Sequence, residues 1–448
     1  MRRLLLAGAL SLVVAGGASA EVVAPGVHDG MLATSRSGRP VVAYVRGTTL
    51  VVATRDGARR WRTTQVAAVG RGSSLVALEA GAAGTVALVQ SADARRLVLV
   101  RQAGPGWAVT ELAARLSAGT TLGWPGLALD PKGLPAVAYT RWREETHKSA
   151  LVLARVDRSG RVRSQQVTSQ GFPKSHVAPP AAPVFTRGAL HVIETYGYDG
   201  AVGTIEWGPK RRRGWSGQFL DSGIGDFPVG PLLTAVGPAG TVYAAWTEAL
   251  LGTGEYPVLL AANGRTIESD MVLTRALTTS LAASPSGVVV GANEWVTAAE
   301  LGLENGGTTW AGTIASRGRK AELDGWLAGL AFHRGGSRDL LLARPRGLSW
   351  FHAPAGPAVR VGLSATGAPG GSVQLSGHLR GYAGGRVTIY RERPGAVRSL
   401  AGAVTPARDG SFVFVDRRPL RPLLYRAVYT QPKSGVPYAA LLRTPVSN

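Results

Sequence analysis

The sequence predicts an all-β protein, with a β-propeller of seven blades, or alternatively six, followed by a smaller β-sandwich. Three observations predict this fold. The 448-residue chain contains 60 glycines and 27 prolines, and short apolar runs alternate with turns rich in these residues. One unit of strand, turn and strand recurs along most of the chain, and the predicted strands follow a different spacing after Pro354. Two domains are expected, because 448 residues exceed what one hydrophobic core usually organises.

The recurring unit is a short apolar strand, a turn that ends in glycine, and a more strongly apolar strand. In the first copy these are Met31 to Thr34, Gly38, and Val41 to Tyr44. The equivalent glycines of the next six units are Gly84, Gly133, Gly188, Gly240, Gly287 and Gly336. Their separations of 46, 49, 55, 52, 47 and 49 residues favour one four-stranded blade per unit. A pair of β-sandwiches is the alternative, but it does not require units of similar length.

The seventh unit, Trp326 to Pro354, shows only three strands in the sequence. The N-terminal segment Val22 to Val27 can supply a fourth strand and close the ring, which would remove the exposed sheet edges. If the seventh unit packs differently, six blades remain.

The N-terminal residues are typical of a secretory signal peptide. Arg2 and Arg3 precede the apolar stretch Leu4 to Val14 and the small-residue cleavage motif Ala18 to Ala20. We therefore expect an extracellular protein, secreted or associated with the cell envelope. The predicted organisation is a signal peptide over 1–20, a propeller over 21–355 and a sandwich over 356–448. The chain has no cysteine, so disulfides and cysteine-based metal sites are excluded.

One hairpin sequence resembles the Asp-box of sialidase-like propellers. The stretch Leu303 to Trp310 reads LENGGTTW, and a weaker copy, Thr54 to Trp61, reads TRDGARRW. The resemblance implies a propeller fold and structural turns held by Asp56 and Asn305. It does not extend to activity, because the family's first-blade signature, an aromatic residue followed by Arg-Ile-Pro, is absent. The nearest string is Gly38-Arg39-Pro40.

The region after Pro357 resembles a bacterial immunoglobulin-like sandwich. The resemblance is carried by Gly371 to Gly377, by the turn Arg408 to Phe412, and by the late strand Tyr425 to Tyr429. It implies a spacer or adhesion module, and we see no candidate site in it.

The formal net charge of +22 raises the question of an anionic partner. Because the basic residues are scattered and no nucleic-acid-binding module accompanies them, contact with anionic cell-surface polymers is expected rather than nucleic acid. No cofactor motif occurs. No metal site is expected, because the seven histidines lack ligand spacing: these are His28, His147, His176, His191, His333, His352 and His378.

A candidate ligand face lies where the second strand of each unit ends, since the loops joining strands two and three gather on one side of a propeller. Aromatic and acidic residues are frequent there. The candidate ligand-binding residues are Tyr139, Trp142, Glu194, Tyr196, Trp246, Glu248, Glu294 and Trp295. The alternative is that the rings only seal neighbouring blades and the acids only solvate loops.

Three functions follow from this pattern. The leading hypothesis is binding of an extracellular glycan or protein through the face of the strand two to three loops. A glycan-cleaving hydrolase that uses Glu194, Glu248 or Glu294 beside a tyrosine is the second, since two suitably spaced carboxylates suffice for that reaction. An envelope scaffold without a ligand pocket is the third. No catalytic residue is assigned.

Overall fold

The computed structural model describes residues 20–448 except 57–59, 114–115, 172–177, 199–200, 211–213, 223–225, 238–239, 251, 254, 263–264, 267–272, 274, 285–286, 298–307, 317–318, 334, 369–370, 393–397, 418–423 and 443–448. Most of the signal peptide prediction, and Asn305, therefore lie outside the described residues. The protein is all-β, with one short 3₁₀ helix at Glu144–Thr146 in the described ranges. No helix in these ranges has the length and apolar character needed to cross a membrane.

The first half of the chain forms four antiparallel sheets in sequence order. Sheet 1 consists of β2 (Met31–Thr34), β3 (Pro40–Arg46), β4 (Thr49–Arg55) and β5 (Trp61–Ala68). Sheet 2 consists of β6 (Ser74–Gly81), β7 (Gly84–Gln90), β8 (Leu97–Ala103) and β9 (Gly106–Ala113). Sheet 3 consists of β10 (Thr120–Leu122), β11 (Gly126–Leu129), β12 (Pro135–Arg143), β13 (Lys148–Val156) and β14 (Val162–Gly171). Sheet 4 consists of β15 (Ala181–Thr186), β16 (Ala189–Tyr198), β17 (Ala201–Pro209) and β18 (Trp215–Ser222).

Three further sheets follow. Sheet 5 consists of β19 (Phe227–Val236), β20 (Val242–Ala249), β21 (Val258–Ala262) and β22 (Arg265–Thr266). Sheet 6 consists of β23 (Ala276–Ser284), β24 (Gly287–Thr297), β25 (Thr308–Ser316) and β26 (Arg319–Leu323). Sheet 7 consists of β27 (Trp326–Phe332), β28 (Arg338–Arg344), β29 (Gly347–Ala353) and the N-terminal strand β1 (Glu21–Pro25).

The N-terminal strand completes sheet 7, as predicted from the missing strand of the last unit. It pairs antiparallel with β29, with Glu21 opposite Trp350 and Pro25 opposite Gly347. Val23 and Ala24 are buried in the core between sheets 7 and 1. The two distant parts of the chain are thereby held together by a hydrogen-bonded ladder and by packing.

The first strands of the sheets form a continuous ring. In sheet 3 the strand in this position is β11; each of these strands packs against its counterpart in the next sheet, and β27 packs against β2. Apolar residues of the facing sheets fill the space between them, because the first strands and the middle strands carry buried aliphatic side chains. This arrangement is that of a β-propeller.

The glycine turns of the repeat adopt the conformation for which glycine was expected. At Gly38, Gly133, Gly188, Gly240 and Gly336 the φ angles are 76°, 80°, 80°, 79° and 81°. Side chains other than glycine rarely adopt this left-handed region, so the spacing of the glycines marks the same turn in successive sheets.

The C-terminal region forms a three-stranded sheet and a continuation of sheet 6. The three-stranded sheet holds β30 (Arg360–Ala368), β31 (Ser372–Arg380) and β34 (Ser411–Asp416). The continuation holds β36 (Pro437–Leu442), β35 (Leu424–Thr430), β32 (Val387–Glu392) and β33 (Ser399–Val404). Leu323 of β26 pairs with Tyr438 of β36, so the ladder runs from sheet 6 into the C-terminal region without a break. One hydrophobic cluster accordingly includes residues of both regions.

Neighbouring sheets are also joined by buried polar side chains. Asn293 of sheet 6 is buried; its Nδ2 donates to the carbonyl of Leu327 in sheet 7 at 3.0 Å, and its Oδ1 accepts the Leu327 N–H at 2.7 Å. The amide therefore satisfies both backbone groups of a residue in another sheet.

We expect the Asn293→Ala variant to lose about 2 kcal/mol of unfolding free energy, because both backbone groups of Leu327 would remain buried without these partners. Urea unfolding of the wild type and the variant, followed by tryptophan fluorescence, measures this difference. An unchanged urea midpoint would show that the bridge contributes nothing to stability.

Candidate functional site

Three of the predicted ligand-binding aromatic residues are buried. Tyr139 and Trp142 lie on β12, with exposed fractions of 0% and 4%, and Trp246 lies on β20 with 1%. Tyr139 packs in the core shared by sheets 2 and 3, and Trp246 in that of sheets 4 and 5. Burial of these rings is what we expect if they only seal neighbouring blades, so their contact with a ligand stays a prediction.

The carboxylates of Glu248 and Glu294 are engaged by neighbouring side chains. Trp246 donates its indole N–H to Glu248 Oε1 at 2.6 Å. Glu294 accepts hydrogen bonds from Thr313 Oγ1 at 2.7 Å and from Lys320 Nζ at 2.7 Å. Both carboxylates are buried, and these contacts compensate part of the cost of removing a charge from water.

Glu194 on β16 has a different environment. Its side chain is fully buried, and the polar group that acts on its carboxyl, the Trp207 indole N–H, lies outside good hydrogen-bond geometry. Burial raises the pKa of Glu194 to about 7, and the neighbouring Trp207 indole opposes the shift only in part. Burial, and secondly the charge of Glu194, also raise the pKa of Tyr196, which is half-buried on the same strand.

Trp295 belongs to a chain of four partly exposed aromatic side chains at the predicted face. Successive ring centroids are 5.1 Å apart for Tyr256 and Trp295, 5.2 Å for Trp295 and Trp310, and 4.6 Å for Trp310 and Trp326. Tyr256 lies in the loop between β20 and β21, and Trp295 and Trp310 flank the loop between β24 and β25. We call this set the aromatic chain; it connects sheets 5, 6 and 7.

Trp124 is an exposed aromatic residue that the sequence analysis did not select. It lies just before β11, 42% exposed, and its carbonyl accepts the Ala181 N–H of sheet 4 at 3.0 Å. First strands begin at the end of the sheet where second strands finish, so Trp124 shares the side of the aromatic chain. Trp124 precedes a first strand, whereas the candidate residues were those at the ends of second strands. Its signal in the sequence is the string Gly123-Trp124-Pro125-Gly126, a tryptophan in a turn between units.

The predicted turn residue Asp56 accepts hydrogen bonds within its own hairpin. Its Oδ1 accepts the Arg60 N–H at 2.9 Å, and its Oδ2 accepts Arg62 Nε at 3.0 Å. The backbone N–H of Asp56 in turn donates to the Arg60 carbonyl at 2.9 Å. Both the side chain and the backbone of Asp56 therefore bond to Arg60 across the hairpin.

Among the described residues, His333, Asp339 and His352 form the group that could hold a metal ion. The expectation of no metal site rested on histidine spacing along the chain, which misses ligands that meet across strands. Asp339 on β28 and His352 on β29 lie opposite each other in the ladder, and His333 directly follows β27. No pattern in the sequence indicates this meeting until the pairing of the strands is known.

No protein-family model and no curated protein matches this chain. Several solved structures are similar at low identity. An endo-arabinase from Bacteroides thetaiotaomicron VPI-5482 is 11% identical over 55% of this chain and 96% of its own, with a TM-score of 0.34. The Aleuria aurantia lectin is 13% identical over 73% and 95%, with a TM-score of 0.38. An α-L-arabinofuranosidase of Fusarium graminearum is 10% identical over 76% and 98%, with a TM-score of 0.38. At these values the similarity identifies neither a ligand nor an activity for this chain.

Proposed function

We propose that this chain is a secreted seven-bladed β-propeller that binds an extracellular glycan through the face of its strand two to three loops. In this proposal residues 21–355 form the propeller, and residues 356–448 form an immunoglobulin-like sandwich that acts as a spacer. The observation that carries the proposal is the aromatic chain at that face, together with the exposed Trp124.

Aromatic rings suit sugar recognition because an apolar ring face packs on the C–H face of a sugar, while polar groups at the rim set its orientation. Tyr256, Trp295, Trp310 and Trp326 each keep part of their surface exposed while contacting a neighbouring ring. The contacts hold the rings in place before a ligand arrives, which reduces the entropy lost on binding. Loops on a rigid scaffold are also where binding residues are most often found.

The state of the acidic residues favours binding over hydrolysis. A hydrolase of this class needs one carboxylic acid and one carboxylate, both in contact with the scissile bond. Glu248 and Glu294 are buried and hydrogen-bonded to protein side chains, and Glu194 is fully buried. None of the three combines exposure to a substrate with a free carboxylate.

The positive net charge favours an acidic glycan over a neutral one. The formal charge of +22 attracts anionic polymers, and the attraction weakens as salt screens it. Ring stacking depends far less on salt. A glycan recognised by the aromatic chain should therefore remain bound at high ionic strength, with a lower affinity.

We expect Trp124→Ala and Trp295→Ala to weaken the binding of a selected glycan by at least about tenfold each, which corresponds to about 1.4 kcal/mol. Calorimetric titration measures the affinity, and thermal melts verify that each variant is folded. Trp107→Ala is the matched control, since Trp107 lies on the outer strand β9, away from this face. If both face variants bind as tightly as the control, the aromatic face is not the binding surface.

A further inference from the structure

Three side chains of sheet 7 converge on one point at the seam of the ring. Asp339 of β28 accepts a hydrogen bond from His333 Nε2 at 2.9 Å on Oδ2 and from His352 Nδ1 at 2.8 Å on Oδ1. One potential ligand atom from each residue lies within 4.8 Å of the other two. The turn that contains Gly38 of sheet 1 approaches His333 from the other side, so the cluster lies where the last sheet meets the first.

The burial of the three residues is graded. Asp339 is completely buried, the His333 side chain is 18% exposed, and the His352 side chain is 48% exposed. The Trp350 ring packs against His352 at an interplanar angle of 29°, with centroids 6.1 Å apart, and restricts the orientation of that imidazole. The cluster thus has a fixed, buried carboxylate and an opening to water on the side of His352.

The electrostatic surroundings permit a cation at this point. The Arg55 guanidinium lies over the Trp350 ring at 4.6 Å, but it is paired with the Glu21 carboxylate at 2.7 Å and 2.8 Å. Arg338 precedes Asp339 on β28, so its side chain points to the opposite face of the sheet, where it donates to the Gly356 carbonyl at 2.9 Å and to the Tyr438 hydroxyl at 3.1 Å. The Asp339 carboxylate provides the negative charge that an ion would need. Two imidazoles and a carboxylate are a donor set for zinc and related ions, whereas calcium and magnesium prefer sets made of oxygen alone.

The geometry points to a divalent transition-metal site formed by His333 Nε2, Asp339 and His352 Nδ1, with water completing a tetrahedral zinc-class centre. Binding would replace the two N–H hydrogen bonds with coordination bonds, and the single proton of each neutral imidazole would then sit on its other ring nitrogen. Because the ligands come from β28, from β29 and from the turn after β27, the ion would tie together the strands that carry β1. The site would therefore stabilise the closure of the ring, independently of any glycan.

The test uses the untagged chain from residue 21 to 448, freed of metal by a chelator. We expect one Co²⁺ per chain to bind with the absorption bands of tetrahedral coordination, and Zn²⁺ to displace it. Zn²⁺ should raise the melting temperature by roughly 3 °C or more at saturation, and Ca²⁺ and Mg²⁺ should not. His352→Gln should weaken Zn²⁺ binding by more than about tenfold, since even residues that only support ligands have effects of this size.

His378→Gln is the matched control, because His378 is an exposed histidine on β31 in the C-terminal region. It should bind Co²⁺ and Zn²⁺ as the wild type does. His352→Gln changes a half-exposed side chain, so a folded variant is expected, and its melt without metal verifies this. Absence of stoichiometric Co²⁺ binding by the wild type, or equal Zn²⁺ affinity in His352→Gln, would overturn the site. The three residues would then be a hydrogen-bonded cluster only.

Discussion

Replacing Arg426 by alanine is expected to lower the free energy of unfolding by about 3–5 kcal/mol, because the change leaves the buried Glu392 carboxylate without its cation. Arg426 Nε donates to Glu392 Oε2 at 2.6 Å, and its Nη2 donates to Oε1 at 3.0 Å and to the Trp310 carbonyl at 2.9 Å. Thr309 Oγ1 donates to the same carboxylate. This network joins the C-terminal strands to sheet 6, so its loss also weakens the contact between the two regions.

Two comparisons distinguish a buried pair from an ordinary salt bridge. The double variant Arg426→Met with Glu392→Leu should be less destabilised than Arg426→Ala, because no unpaired charge remains. Arg96→Ala, which removes an exposed pair with Glu111, should cost less than about 1 kcal/mol. Urea unfolding of all four proteins provides the values. A loss below about 1 kcal/mol for Arg426→Ala would mean that the pair does not hold the regions together.

Glu194 is expected to make the protein less stable as the pH rises from about 4.5 to about 7. The pKa of its carboxyl is raised to about 7 by burial, whereas its ordinary value is 4.5. In this interval the unfolded chain has released the proton and the folded chain retains it, so each pH unit costs the folded state about 1.4 kcal/mol. The contribution of the protonated Glu194 carboxyl to the free energy of unfolding is fully present below pH 4.5, and about 3 kcal/mol of it is lost above pH 7.

The variant Glu194→Gln isolates this effect, because glutamine has a similar shape and does not titrate. The difference in unfolding free energy between variant and wild type should be small at pH 4.5 and should favour the variant by about 3 kcal/mol at pH 8. Burial raises the pKa of Glu79 to about 7 as well, so the wild-type curve contains both groups and only the difference reports Glu194. A difference that does not change with pH would contradict the raised pKa.

The repeat was predictable because it depends on backbone geometry that the sequence records directly. Turns with positive φ select glycine, so Gly38, Gly133 and Gly336 mark successive sheets at nearly constant spacing. The strand missing from the last unit was predictable in the same way, by counting, and β1 supplies it. In the C-terminal region the segments that carried the resemblance fall on or beside β31, β34 and β35, whereas β33 (SLAGAV) and β36 (PYAALL) were not among them, since neither alternates strictly between apolar and polar residues.

The orientation of side chains at the candidate face could not be predicted. Trp246 and Trp295 both lie near the ends of second strands, yet Trp246 is buried against Glu248 and Trp295 keeps part of its surface exposed. The difference depends on which face of the strand each residue occupies and on what the next sheet places there. The meeting of His333 with His352 has the same origin, since it requires the pairing of β28 with β29.

We expect a glycan to bind to the face that carries Trp124 and the aromatic chain. A glycan array probed with residues 21–448, at low and at high salt, tests it most directly, with the double variant Trp124→Ala, Trp295→Ala in parallel. The protein should bind a small set of glycans selectively, and this binding should persist at high salt and be lost in the double variant. Binding that is unselective and disappears with salt, or equal binding by the double variant, would contradict it.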